Sequence, residues 1–69
     1  MRVLLNNSGE LHCMEVVTAS VHPEDNELIL ENAENYVTVS GISRINAEIA
    51  VRTLYSDGMV DLTMYRSDI

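Results

Sequence analysis

Apolar residues recur at helical spacing in one stretch of the chain, residues 43–56. Four of them share one helix face at the i, i+3, i+4, i+7 positions: Ala47, Ala50, Val51 and Leu54. Ser43 is a suitable N-cap, and Gly58 can adopt the left-handed conformation that closes a helix. The pattern predicts one helix with this face packed on a sheet.

The opposite side of the same helical wheel carries two isoleucines. Ile45 and Ile49 lie one turn apart and are flanked by Arg52. Three interpretations of these isoleucines are open. They are ordinary exposed apolar residues, they are covered by a neighbouring loop, or they contact another chain. A domain of about 60 residues buries only about 60% of its unfolded surface, so self-association is a frequent way to gain burial. Ile45, Ile49 and Arg52 are therefore the candidate interface of a homo-oligomer.

Alternation of apolar and polar residues predicts five strands around the helix. They cover residues 1–6, 11–21, 27–31, 36–40 and 59–65. Short turns rich in Gly, Pro, Asn and Asp connect the first four into an antiparallel meander. The order β-β-β-β-α-β predicts an α+β domain, a small antiparallel sheet of about five strands with one helix packed on one face. The last strand is expected parallel beside the fourth strand or antiparallel beside the first.

The alternation also predicts which side chains point into the core. In the strand over residues 11–21 these are Leu11, Cys13, Val17, Ala19 and Val21. In the last strand they are Val60, Leu62 and Met64. Cys13 is accordingly interpreted as a buried small apolar residue and not as a nucleophile.

The 69 residues suffice for one domain, residues 1–69. No run of about 18 apolar residues is present, which predicts no membrane span. The first residues lack the features of a signal peptide, and the chain has one cysteine. These observations together predict a cytoplasmic protein.

The charge distribution is uneven. The chain has no lysine, four arginines and a net charge of −7. Residues 3–43 contain seven acidic residues and neither Lys nor Arg. Five of these acids form the candidate partner-binding surface: Glu24, Asp25, Glu27, Glu31 and Glu34. Direct binding to nucleic acid or to an anionic membrane is not expected, because it depends on Lys and Arg. Clustered carboxylates attract a protein partner with a basic surface.

Two interpretations of this acidity stay open. It keeps a small protein soluble, or its carboxylates imitate phosphates and occupy the nucleic-acid groove of another protein. In size and charge the chain resembles the small acidic DNA-mimic and anti-defence proteins encoded by phages and mobile elements. The resemblance implies an inhibitor, covers no motif and assigns no residue. The predicted function is an acidic interaction module, and the alternative is a structural or regulatory homo-oligomer assembled through the helix face.

Catalytic and metal-binding patterns are absent from the sequence. It has no nucleophile elbow, no phosphate-binding Gly-rich loop and no HExxH. His12 and Cys13 are neighbours on a predicted strand, so they point to opposite faces, and His22 is distant along it. The acids between Asp25 and Glu34 lack the EF-hand spacing and its glycine. The sequence therefore predicts neither an enzyme nor a metal or cofactor site.

Overall fold

The computed structural model describes residues 1–7, 9–22, 24 and 26–65. In this part of the chain the elements, in order, are β1 (Arg2–Asn7), β2 (Glu10–Glu15), β3 (Thr18–His22), β4 (Glu27–Glu31), β5 (Tyr36–Val39), α1 (Arg44–Asp57), β6 (Met59–Asp61) and a short 3-10 helix (Leu62–Met64). The predicted α+β class is confirmed. The predicted turn residues Ser8 and Pro23 and the tail 66–69 lie outside the described residues.

The strands form two sheets, so the prediction of one sheet with about five strands was wrong. Sheet A has the order β2-β1-β6, and sheet B has the order β3-β4-β5. The three hairpin pairings, β1 with β2, β3 with β4 and β4 with β5, are antiparallel as predicted. The difference arises because the predicted strand over residues 11–21 is two strands, one in each sheet.

The chain crosses from sheet A to sheet B between two adjacent valines. The Val16 amide donates to the Met1 carbonyl at 2.7 Å, next to β1. The Val17 amide donates to the Glu31 carbonyl at 2.7 Å, at the end of β4. Val16 is buried and Val17 is exposed. The crossing therefore reverses which alternate positions point into the core.

This reversal corrects the predicted core face of residues 11–21. Leu11 is 71% exposed, and Cys13 is also exposed, so the interpretation of Cys13 as a core residue was wrong. Met14 is partly buried and packs against the core in this half of the stretch. Val17, at the crossing, was also assigned to the core and is exposed. Beyond it the prediction is right, because Ala19 is buried and Val21 packs against the core.

The last strand is shorter than predicted and has a different neighbour. Residues Met59–Asp61 pair in parallel with β1, which is neither of the two expected placements. The strand ends because the Asp61 carboxylate accepts a hydrogen bond from the Thr63 amide at 3.0 Å and starts the 3-10 helix. The side-chain period changes there from two to three. Leu62 is buried as predicted, whereas Met64 is exposed.

Helix α1 agrees with the sequence prediction at both ends. The Ser43 hydroxyl accepts a hydrogen bond from the Asn46 amide at 3.2 Å. Gly58 has a φ of 78°, and its amide donates to the Leu54 carbonyl at 2.8 Å. No helix among the described residues is long and apolar enough to cross a membrane.

The buried face of α1 joins the two sheets. Ala47, Ala50 and Leu54 are fully buried on this face. The helix packs against β3 and β4 of sheet B and against β6 of sheet A. The largest fully buried side chains come from both sheets, the helix and the 3-10 helix: Val3, Leu28, Leu30, Leu54 and Leu62. One core therefore serves both sheets.

Replacement of Leu30 by alanine tests the position of this core. Leu30 is fully buried in β4, so Leu30→Ala should lower the free energy of unfolding by about 2–5 kcal/mol. Leu11→Ala removes the same atoms from an exposed position of β2. It should change the free energy of unfolding by less than about 0.5 kcal/mol. Urea unfolding followed by circular dichroism measures both. Equal losses would contradict the orientation of β2.

Candidate interaction surface

Four of the five predicted acidic residues are described, and they lie in β4 of sheet B or in the turns at its two ends. Glu27 and Glu31 alternate along β4 with Leu28 and Leu30, which are fully buried on the inner face. The two glutamates therefore point outward. Glu24 lies in the turn before β4, and Glu34 lies in the turn after it; both are exposed. Asp25 lies outside the described residues.

These four glutamates, called the acidic face below, are grouped at the two ends of sheet B. Glu27 and Glu31 are four residues apart on one strand, a separation of about 13 Å. Glu24 precedes Glu27 by three residues, and Glu34 follows Glu31 by three residues. Ile29, which is partly buried, lies between the two groups on the same side of β4.

Hydroxyl-bearing residues surround these carboxylates on the outer face. In the strand register Glu31 lies opposite Thr18 on β3 and opposite Tyr36 on β5. Ile29 lies opposite Ser20 and Thr38, and Glu27 lies opposite His22. The strands of sheet B contain no Lys or Arg.

Three acidic residues elsewhere, Glu15, Glu48 and Asp61, have partners within the chain. A carboxylate oxygen of Glu15 lies 3.0 Å from Nε of Arg2, and one of Glu48 lies 3.2 Å from Nε of Arg44. The Asp61 carboxylate accepts hydrogen bonds from the amide and hydroxyl of Thr63. Within residues 1–7, 9–22, 24 and 26–65, the four glutamates of the acidic face form no ion pair. Their charge is available to an external cation.

The apolar stripe of α1 lies on the other side of sheet B. Ile45 is 70% exposed and Ile49 is 40% exposed, and Arg52, one turn further along, is exposed as well. Helix α1 covers the inner face of sheet B, whereas the acidic face is on the outer side. The structure therefore brings the two predicted sets of site residues to separate surfaces.

Tyr55 makes a contact that the sequence did not predict. Its hydroxyl accepts a hydrogen bond from the Ala19 amide at 3.1 Å and donates one to the Ala19 carbonyl at 3.4 Å. Both groups lie on the edge of β3 that faces away from β4, so the tyrosine takes the place of a neighbouring strand there. The sequence gives no sign of this contact, because two residues separated by 36 positions leave no local pattern.

A cavity of about 290 Å³ lies beside the crossing between the sheets. It is lined by Glu15, Val16, Val17, Asn32, Ala33 and Glu34. This lining contains no His, Cys or Ser to act as a nucleophile or general base beside the two carboxylates. Sequence reasoning missed the cavity because it forms only where the chain leaves sheet A for sheet B.

No group of three or more His, Cys, Asp or Glu residues that could hold a metal ion occurs in the described part of the chain. His12 and Cys13 are adjacent on β2, and His22 belongs to sheet B. These three side chains are therefore not brought together.

No protein-family model, curated protein or solved structure matches the chain. The geometry and the charge of these surfaces are thus the basis for a function.

Replacement of Tyr55 by phenylalanine tests its role at the edge of β3. Tyr55→Phe removes both hydrogen bonds to Ala19 and should lower the free energy of unfolding by about 1 kcal/mol. The matched control is Tyr36→Phe, because the Tyr36 side chain is exposed. This variant should change the free energy of unfolding by less than about 0.5 kcal/mol. Urea unfolding measures both, and the Ala19 amide should also exchange faster in Tyr55→Phe. Identical stability of the two variants would refute the contact.

Proposed function

We propose that this protein is a non-enzymatic interaction module whose acidic face docks on a basic surface of another protein. One observation carries the proposal: the four glutamates of the acidic face have no ion pair among the described residues, whereas Glu15 and Glu48 are paired. Charge that serves only solubility can lie anywhere on the surface. Unpaired charge on one side of one sheet favours a complementary partner.

The chemistry of this surface defines the class of partner. The acidic face offers carboxylate oxygens, so the partner has to supply Lys or Arg side chains. A protein that binds nucleic acid has such a surface, already arranged to accept phosphate oxygens. The finer form of the proposal is an inhibitor that occupies this surface in place of nucleic acid. The resemblance in size and charge to phage-encoded DNA-mimic proteins agrees with it.

A second candidate function is self-association through α1, supported by the exposure of Ile45 and Ile49. Exposed isoleucines one helical turn apart form a narrow apolar stripe, the pattern that a second helix packs against. Because this stripe and the acidic face are on opposite sides of sheet B, a dimer formed through the helix would still expose both acidic faces. The two functions are therefore compatible.

Neutralising the acidic face tests the first proposal. A variant with Glu24, Glu27, Glu31 and Glu34 changed to glutamine reduces the net charge from −7 to −3. The tagged parent should retain a basic protein from a host lysate at low salt and release it near 1 M salt, where screening extends only about 3 Å. The variant should not retain it. Mass spectrometry identifies the bound protein, and duplex DNA should displace it if its surface binds nucleic acid.

The control variant has the same net charge. It replaces Glu10, Glu15 and Glu48 with glutamine and Asp57 with asparagine, all outside the acidic face. It should retain the partner as the parent does. Equal loss in the two variants would show that net charge alone is responsible, and retention by all three proteins at high salt would exclude an electrostatic interface. Either result overturns the proposal.

Replacement of Ile49 by glutamate tests self-association. If the helix stripe is an interface, the parent should sediment as a dimer at high concentration, and Ile49→Glu should sediment as a monomer because it places a charge in an apolar contact. Leu11→Glu adds the same charge at an exposed apolar position of β2, outside the helix stripe, and should remain dimeric. Analytical ultracentrifugation makes the comparison. A monomeric parent rejects this candidate function.

A further inference from the structure

Three of the four strand edges in the two sheets carry features that oppose pairing with another chain. The edge of β3 is occupied by the Tyr55 hydroxyl. Strand β6 has only three residues and packs beside α1. Strand β2 carries Glu10, His12 and Glu15. A side-chain cap, a short strand and charged residues are common ways in which proteins protect a sheet edge.

The edge of β5 has none of these features. Its sequence, Tyr-Val-Thr-Val, contains no charge, proline or glycine, and β-branched and aromatic residues favour a paired strand. Among the described strands β5 is paired with β4 alone. Tyr36 and Thr38 are exposed, and Val37 is 37% exposed although it lies on the inner side of the strand with Val39. This edge can therefore accept a further strand.

The register shows which backbone groups face outward. The Asn32 amide donates to the Asn35 carbonyl at 2.9 Å, just before β5. Hydrogen-bonded and non-hydrogen-bonded pairs alternate along an antiparallel ladder, so Val37 and Val39 bond to β4. Tyr36 and Thr38 consequently direct their N–H and C=O groups to the open side.

We propose that the β5 edge binds an extended segment of the partner in which basic and apolar residues alternate, and that this segment extends sheet B by one strand. This inference rests on the proposed function and identifies the part of the partner that is bound. In this mode backbone hydrogen bonds supply affinity, and alternate side chains supply specificity.

Charge and burial define the composition of the segment. Glu31 lies opposite Tyr36 on the outer face, and Glu34 lies in the turn just before β5. A Lys or Arg of the added strand that points to this face can reach these carboxylates. Residues at the alternate positions point to the inner side, where they would cover Val37, so apolar residues fit there.

A second copy of the chain fits the edge less well. Pairing β5 with itself would bring together two molecules that each have a net charge of −7. Repulsion between two acidic molecules opposes this association. Self-pairing is therefore an alternative outcome of the experiment below.

Amide hydrogen exchange followed by NMR tests the geometry directly. In the free protein the Tyr36 and Thr38 amides should exchange faster than those of Val37 and Val39. The probe is a six-residue peptide of alternating lysine and valine, and it should slow exchange of the Thr38 amide. A peptide with glutamate in place of lysine should have no effect.

Two variants of Thr38 separate the edge from the charge. Thr38→Pro removes an outward N–H and leaves every carboxylate in place, and proline is tolerated at an edge strand. It should weaken binding of the lysine–valine peptide about tenfold, the effect of losing a backbone hydrogen bond. Thr38→Lys keeps the outward N–H and tests the same edge if Thr38→Pro does not fold. It should weaken binding of the lysine–valine peptide, because the new lysine repels the lysines of the peptide. The matched control is Ser20→Lys, an exposed residue of β3 on the same face that lies opposite Ile29 and not opposite a carboxylate, and it should bind the peptide more tightly than Thr38→Lys.

The outcomes distinguish this inference from the proposed function. Absence of binding by the lysine–valine peptide would show that the β5 edge is not the site. The same conclusion follows if the peptide binds the parent and Thr38→Pro equally well and does not slow hydrogen exchange of the Thr38 amide. The lysate partner can still depend on the acidic face in that case, and the proposed function stands. Protection of the Thr38 amide in the protein alone, together with a dimer in ultracentrifugation, would identify a second copy as the occupant and overturn the inference.

Discussion

Two consecutive backbone amides, those of Val16 and Val17, donate to carbonyls in different sheets, and the rest of the fold depends on this crossing. Without it the chain from Leu11 to Val21 would be a single strand, and the four antiparallel strands would form one meander. With it, each sheet has three short strands and is too small to enclose a core alone. The two sheets therefore share one helix.

The composition of the helix suits this arrangement. Ala47 and Ala50 are fully buried, and their small side chains allow the backbone of α1 to approach the sheets closely. Leu54 supplies volume near the end of the helix, where β6 of sheet A follows directly after Gly58. The chain has no Phe or Trp, so small residues and close approach replace large aromatic rings in its core. A core that is built from small side chains and shared by two sheets is consistent with the modest stability expected of a domain of this size.

The features that the sequence predicted correctly are local ones. The helix caps at Ser43 and Gly58 and the turn after Glu31 depend on neighbouring residues, and the structure confirms each. The crossing was not predictable from local pattern, because two β-branched valines favour an extended chain and no Gly, Pro or Asn marks a break. The alternation before the crossing is opposite to the alternation after it, so one continuous strand that correctly buries Ala19 and Val21 assigns Leu11 and Cys13 to the wrong face. Of the candidate site, the sequence revealed which carboxylates lack basic neighbours but not their division between the two ends of sheet B.

The absence of lysine gives the acidity a structural consequence as well. Proteins often protect an exposed strand edge with lysine, and this chain has none, so no lysine protects the uncharged edge of β5. Glu31 and Glu34 lie beside that edge and repel another copy of an acidic protein while attracting a basic segment. If the β5 edge binds a basic segment as proposed, lysine on β5 would repel that segment. Carboxylates that flank an uncharged edge would instead attract the segment and disfavour a second acidic copy, so the proposed selectivity needs both the negative charge beside β5 and the lack of charge within it.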